Sequence, residues 1–365
     1  MSTNDPLKVA IVGCGRIADG HVEQIRRLPG LARVIAACDR EPLMAEQLAT
    51  RYRIEKVYED FEDMLSRSRP DVVHITTPPA SHVALASRAI EAGCHVYVEK
   101  PLAPRHEEVV QLLERARRAG VQLTVGYTYL FDPPALVMRE LCERGAIGDP
   151  VHVDSIYGYD LSGPFGRALM ADRMHWVHKL PGKLLHNTVD HMLNKVVEFV
   201  DSDEPDVLAL ARPLADPSLL DELRVILGGR RVTAYASFSA HARPVVHQAR
   251  VHGTRNTMLV DYVARTVTLA HAPPLPSAVG RLLAPLPAAG DLVREVARNA
   301  VRFARSDYHF FAGLHELMRR FYASIHDGRP PPISARDILW VSSVMERIFD
   351  EIGPRVRLYP TERVA

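Results

Sequence analysis

Cysteine is scarce in this chain: four residues among 365, at Cys14, Cys38, Cys94 and Cys142. No two stand in a CxxC spacing, which argues against a zinc knuckle or a redox dithiol, and no metal site is expected. They read as small buried residues of a reducing, cytoplasmic protein. Net charge is nearly absent too, at +1, so no global field draws the chain to nucleic acid or to an anionic membrane. No run of about eighteen apolar residues occurs, so no membrane-spanning helix is expected. The N-terminus, MSTNDPLK, lacks the apolar core of a signal peptide. What remains is an ordinary globular composition, 47% hydrophobic and 24% charged, and a length that predicts about two domains.

The first third carries a clear pattern. KVAIVGCG (8–15) is a continuous apolar run ending in glycine, the form a buried parallel strand takes in sequence. The turn Gly13-Cys14-Gly15-Arg16-Ile17-Ala18 reads G-x-G-x-x-A and leads into the helical stretch HVEQIRRL. The first glycine permits a tight turn, and the second lets a pyrophosphate approach the backbone. The small third residue lets helix and strand pack closely. The helix N-terminus then offers free N–H groups to phosphate. A second apolar run, ARVIAACD, ends in Asp39, about twenty residues past Ala18, where a carboxylate binds a ribose diol.

Further strands are predicted at DVVHITTP (71–78), CHVYVEKP (94–101) and VQLTVGY (121–127), with helices over 41–53, 80–92 and 105–119 between them. This alternation predicts a doubly wound parallel sheet that binds a dinucleotide at the carboxyl ends of its strands. Asp39 favours NAD by repelling a 2′-phosphate. Arg40 beside it keeps NADP open, because a guanidinium can hold that phosphate or stack on adenine.

Glu99-Lys100-Pro101 at a strand end resembles the EKP signature of the Gfo/Idh/MocA oxidoreductase family. ITTPPASH (75–82) is similar to the family's TP-x-x-x-H loop along the cofactor and brings in Thr76, Thr77, Pro78 and His82. VGYTYLFDPPALVMRELCERGAIGDPVHVDS (125–155) resembles the family's link into its second domain. LPGKLLHNTVDH (180–191) resembles its D-x-x-x-H segment, and FYASIHDGRPPPIS (321–334) its C-terminal stretch. The resemblance covers most of the chain. It implies a Rossmann domain over 1–127 and an α+β domain over 128–365 with a large open, predominantly antiparallel sheet. The C-terminal helix is expected to pack back on the first domain. It also implies NAD(P)-dependent oxidation or reduction of a sugar, cyclitol or nucleotide-sugar, and a homo-oligomer, dimer or tetramer. The second half fits, because HVDSIYGYD, VLALARP, LRVILGG, RVTAYASFSA, QARVHG and TVTLAHA alternate like antiparallel strands.

Oxidising an alcohol sends a hydride to nicotinamide and a proton to a base. Lys100 is the candidate base, since desolvation near a positive nicotinamide lowers a lysine's pKa. Glu99 either orients Lys100 or caps its strand, and the Lys100-Pro101 bond is expected to be cis, as in many members of the family.

HNTVDHMLNK (186–195) begins a helix predicted to continue through VVEFV. At about 100° per residue, Asn187, Asp190, His191, Asn194 and Glu198 share one stripe opposite Val189, Met192, Leu193, Val196, Val197 and Val200. A solvated polar face is the plain reading of that pattern. The stripe's short hydrogen-bonding groups and the family alignment favour a catalytic wall instead. With His191 matched to the family histidine, the family's acids fall at Asn187 and Asn194, so the usual aspartate behind the histidine is missing. Asp190 is displaced by about 100° around the helix. The assignment is therefore Lys100 and His191 for the proton and Asn187 for a substrate hydroxyl or carbonyl.

Tyr127 and Tyr129 in the linker, and Trp176 in RMHWVHKLPGK (173–183), are candidates for a sugar face, while His178 and Lys183 suit an anionic group. The missing acids leave two other functions open: a redox-inactive nucleotide-binding regulator, or redox-neutral elimination or hydrolysis with NAD recycled in each turnover.

Residues 271–290, rich in Pro, Ala and Leu, read as an insertion. GDLVREVARNAVRFAR follows as a helix with Arg294, Arg298, Arg302 and Arg305 near one face. A solvated arginine face is the favoured reading, against peripheral contact with a membrane or an anionic substrate.

Overall fold

A computed structural model describes residues 5–214, 216, 218–271, 278–305 and 308–356. The Pro-rich head of the insertion, residues 272–277, lies outside them. The chain divides into two compact units: residues up to Thr128 with Gly313–Ser342, and Tyr129–Ala312 with the residues from Ser343 on.

The first unit alternates strand and helix: β1 (Leu7–Val12), α1 (Arg16–Arg26), β2 (Ala32–Cys38), α2 (Pro42–Tyr52), β3 (Lys56–Tyr58), α3 (Phe61–Ser68), β4 (Val72–Ile75), α4 (His82–Glu91), β5 (His95–Val98), α5 (His106–Ala119) and β6 (Leu123–Val125). All six strands are parallel, in the order β3-β2-β1-β4-β5-β6. Their central residues, Val9 to Ile11 and Val96 to Val98 among them, are fully buried, as a sheet covered on both faces requires. The winding reverses between β1 and β4. A crevice opens at such a switch point, beyond the carboxyl ends of the strands. Gly13, Asp39, Thr76 and Glu99 each stand one residue past a strand end.

The second unit holds α6 (Pro133–Glu143), β7 (Pro150–Gly158), α7 (Pro164–Ala171), α8 (Lys183–Leu193), β8 (Asp206–Arg212), β9 (Glu222–Gly228), β10 (Thr233–Ser239), β11 (His247–Gly253), β12 (Asn256–Asp261), β13 (Thr266–His271), α9 (Ala278–Leu283) and α10 (Leu286–Ala304). Beyond it in sequence come α11 (Ala312–His326) and α12 (Ala335–Val356). The sheet runs β13-β12-β11-β7-β10-β9-β8, antiparallel except where β7 pairs with β10.

Helix α8 lies against this sheet and ends earlier than its periodicity predicts. Residues 194–199 form turns. Ser155 Oγ on β7 donates to the Met192 carbonyl at 2.9 Å, an acceptor shared with the Lys195 N–H at 3.2 Å in a tighter, three-residue turn.

Candidate functional site

In the first unit the β1 turn sits as its glycines demand. Gly13 has φ +90, and a Cβ there would lie 2.6 Å from Thr77 Cγ2 and 2.7 Å from the Thr77 nitrogen. At Gly15 a Cβ would meet nothing within 4 Å. Gly15 is the N-cap of α1 and gives that helix no side-chain cap, so the first N–H groups face open space. Arg16 is exposed, Ile17 half-buried and Ala18 fully buried. Asp39 is anchored beside the turn: Cys14 N–H donates to Oδ2 at 2.7 Å and Glu41 N–H to Oδ1 at 3.0 Å. Arg40 is exposed.

These contacts predict opposite results for two glycines. Gly13→Ala combines left-handed backbone strain with a clash against backbone, so its unfolding free energy in urea falls by about 2–4 kcal/mol. Gly15→Ala changes stability by less than about 0.5 kcal/mol and weakens dinucleotide binding measured by calorimetry.

Two residues predicted to line the cofactor make internal contacts. The Thr76 hydroxyl faces the carbonyls of Val12 and Gly13 at 3.0 and 2.6 Å, pinning β4 to the turn. His82, fully buried, spans from the Thr77 carbonyl (Nε2, 2.8 Å) to the Pro101 carbonyl (Nδ1, 2.9 Å). It therefore ties the Thr77-Pro78 loop to the Lys100-Pro101 segment, whose peptide bond is cis.

Glu99 heads a buried chain. Its Oε1 lies 3.0 Å from His21 Nε2, His21 Nδ1 lies 2.8 Å from His74 Nδ1, and His74 Nε2 lies 2.8 Å from the Tyr322 hydroxyl. Two proton arrangements satisfy every link: Tyr322 donating to His74, His74 to His21 and His21 to the carboxylate, or His21 donating from both ring nitrogens, to His74 and to Glu99, with His74 donating to Tyr322. Burial pushes the His74 pKa well down, with His21 adding to it, and pushes that of Tyr322 well up. Burial alone would raise the Glu99 carboxyl. The His21 hydrogen bond and the Lys100 charge outweigh it, so its pKa is lowered and the group is ionised. Lys100 follows, half-buried, its own N–H 3.4 Å from Glu99 Oε2.

In the second unit the polar stripe of α8 is not wet. Asp190 is 0% and Asn194 1% exposed, and only Glu198 reaches the surface, paired with Arg139. His191 Nδ1 stands 3.6 Å from Asp190 Oδ1, so a carboxylate does accompany the histidine, three residues after Asn187 and four before Asn194, where the alignment places the family's acids. Asn187 is half-buried on the same helix. Neither amide atom of Asn194 has a hydrogen-bond partner among the described residues.

Aromatic and basic side chains gather around His191. Tyr129 packs edge-on against it at 4.9 Å and Tyr157 at 5.1 Å, and His247 lies 4.2 Å from Tyr129 and stacks on Tyr262 at 4.6 Å. Lys195, 2% exposed, places Nζ 5.6 Å from the Tyr157 ring and 5.5 Å from that of Tyr262, its hydrogen bond a long one of 3.4 Å to the Ile156 carbonyl. Burial drives the Lys195 pKa well down and those of Tyr129, Tyr157 and Tyr262 up. His247 is lowered by burial first, then by Lys195 and His191.

The loop candidates make contacts of their own. Trp176 packs near Phe165 and His175, His178 reaches the Leu169 carbonyl, and Lys183 Nζ donates to the Ser218 carbonyl. Tyr127 is buried in the first unit.

Residues 7–127 match the family described as an oxidoreductase family with an NAD-binding Rossmann fold. That stretch, about a third of the chain, is similar to the Gfo/Idh/MocA oxidoreductases. It is 33% identical over 147 residues to a D-glucoside 3-dehydrogenase of Escherichia coli, covering 40% of this chain and 42% of that protein. The chain spans less than two thirds of the length of the curated relatives it matches. Two solved structures share the fold across both units. One is the WlbA dehydrogenase of Bordetella pertussis with NADH and UDP-GlcNAcA, at TM-score 0.78, 19% identity and 96% coverage of each chain. The other is a levoglucosan dehydrogenase with NADH and levoglucosan, at 0.78, 19%, 96% and 97%. Against this Gfo/Idh/MocA background, the family motifs did not single out Lys195, Tyr157, His247 and Tyr262, nor His21, His74 and Tyr322. Lys195 stands inside the polar decapeptide of α8, and Tyr157 and His247 on strands where every second side chain turns inward.

Proposed function

We propose that the protein is an NAD-dependent dehydrogenase that oxidises a secondary alcohol, or reduces the ketone, of a sugar, cyclitol or nucleotide-sugar. The observation that carries this reading is the gathering of the Gly13 turn, Asp39 and Glu99-Lys100-Pro101 at the carboxyl ends of β1, β2 and β5. These residues fit a dinucleotide. The open space at Gly15 and the uncapped N-terminus of α1 suit the pyrophosphate, and the anchored Asp39 carboxylate suits a ribose diol. Bound NAD supplies the acceptor or donor of hydride.

Lys100 takes the hydroxyl proton during oxidation and returns it during reduction, with ionised Glu99 keeping a negative charge beside it. His191 shares this proton work. Asp190 holds the Nδ1 side of its ring, which leaves Nε2 for the substrate. Asn187 hydrogen-bonds a substrate hydroxyl or carbonyl, and Tyr129 gives the sugar ring an apolar edge. The substrate class is supported by the relative that acts on D-glucosides and by the fold neighbours bound to UDP-GlcNAcA and levoglucosan. Self-association fits the outer face of the second sheet, where Leu208 and Ile226, paired across β8 and β9, are 56% and 51% exposed.

Asn187 and Asn194 favour a second reading, in which NAD is bound without turnover or is recycled within each turnover. A panel of sugars, cyclitols and nucleotide-sugars incubated with NAD separates these. The dehydrogenase forms net NADH, a recycling enzyme forms product without it, and a binding protein forms neither. Asp39→Ser moves cofactor preference toward NADP by about tenfold, as roughly 1.4 kcal/mol of like-charge repulsion is relieved; titrations with both cofactors check it.

A further inference from the structure

Helix α10 is amphipathic with its faces reversed. Its polar side turns toward the second sheet. Asp291 Oδ2 accepts from the Leu269 N–H of edge strand β13 at 3.2 Å, and Asn299 donates to the carbonyls of Ala264 and Arg265 at 3.1 and 3.0 Å. Glu295 is 5% exposed on the same side. These contacts cover an edge that would otherwise offer unpaired backbone groups, which explains why polarity points inward. At about 100° per residue the opposite side carries Leu286 and Val293, with Val296 and Phe303 along one flank. They are 61%, 71%, 58% and 74% exposed, and α9 adds Leu282 at 75%. Single exposed apolar side chains are ordinary, whereas a continuous stripe of five marks a surface that is covered in use.

Charge decides what covers it. Residues 278–305 contain two acids, Asp291 and Glu295. Their side chains are 19% and 7% exposed and paired with Arg294 and Arg298, so the rim of the stripe is arginine: Arg281, Arg294, Arg298 and Arg305. A second copy of this chain would bring a like arginine rim against this one, with no exposed acid to meet it. An anionic lipid surface offers an apolar layer beneath negative headgroups, matching both features. No described helix is long and apolar enough to cross a membrane, so the element lies along the surface, about 28 Å of it at 1.5 Å per residue.

We propose that α9 and α10 form an interfacial element that lays the Leu282–Phe303 stripe into an anionic bilayer with its arginines among the headgroups. The test uses the full-length protein in co-sedimentation with vesicles of phosphatidylcholine alone or mixed with phosphatidylglycerol, at low and high salt. Sedimentation with the mixed vesicles is expected, weaker in high salt, and about tenfold weaker for Val293→Asp/Phe303→Asp at unchanged melting temperature. Should that variant melt early, Arg281→Glu/Arg305→Glu, both exposed, must lose the preference for phosphatidylglycerol. No sedimentation with mixed vesicles at low salt overturns the proposal, as does equal binding by the variants. An oligomer that dissociates in the Val293→Asp/Phe303→Asp variant, without vesicle binding by the native protein, assigns the stripe to a second copy and overturns it equally.

Discussion

Lys100→Met lowers turnover by about 10²–10⁴-fold and leaves NAD affinity within about threefold. Methionine keeps the length of the side chain and removes the amine that moves the proton. The turn glycines and Asp39, proposed to hold the cofactor, lie on other strand ends and are untouched. Initial rates and a NAD titration on the same preparation separate the two effects. Loss of binding together with rate would make Lys100 a structural residue; an unchanged rate would remove it from the chemistry.

Acid destabilises both units. His74 and His82 in the first and His247 in the second are buried, and burial lowers each pKa in the folded state. The unfolded chain takes up a proton at each near pH 6.5 that the native core refuses. Falling pH therefore favours unfolding, and stability rises through this range as pH rises. The depressed Glu99 acts in the same direction at lower pH, since its contribution is present above the unfolded carboxyl pKa and is lost as pH falls through the folded one. Each neutral buried histidine contributes up to about 1.4 kcal/mol per pH unit below its unfolded pKa, so His74 and His247, pushed well down, together give up to roughly 3 kcal/mol per unit, with His82 adding in the same direction. Urea unfolding between pH 5 and 7 reads this slope, marked as about those values by the unfolded histidine pKa. His247→Phe, which keeps the stacking on Tyr262, removes one proton from it. A flat profile would mean that these histidines are protonated in the folded protein.

The first unit was largely legible because its signals are local. Continuous apolar runs ending in Gly13, Asp39 and Glu99 specify strand, turn and face at once, and the structure puts strands at all five predicted places. The sequence reading missed β3 and α3. β3 is three residues long with two exposed, so it buries too little to show a pattern. The interior strand β12, NTMLVD, shows no alternation because its apolar side chains are three in a row, Met258 to Val260. Helix α8 shows the opposite problem. Its periodicity correctly separated a polar from an apolar stripe, but periodicity cannot say that both are buried, which follows from its place against the sheet. The Tyr129, Tyr157, His191, His247 and Tyr262 cluster joins β7, α8 and β11 with the linker and the turn after β12, and Glu99, His21, His74 and Tyr322 join the end of β5 with α1, β4 and α11. Such groupings exist only once strands are in register. Asp190 is the instructive case: about 100° of helical rotation argued against it, yet its carboxylate comes to 3.6 Å from His191 Nδ1.

A single-turnover experiment bears most directly on the proposed reaction. Enzyme in excess over NAD is mixed with the sugar, cyclitol and nucleotide-sugar panel, and nicotinamide reduction is followed by absorbance. Reduced nicotinamide should form with at least one secondary alcohol in the native protein, and about 10²-fold more slowly in Lys100→Met. Tight NAD binding with no reduced nicotinamide at any time, on any member of the panel, would contradict dehydrogenase chemistry.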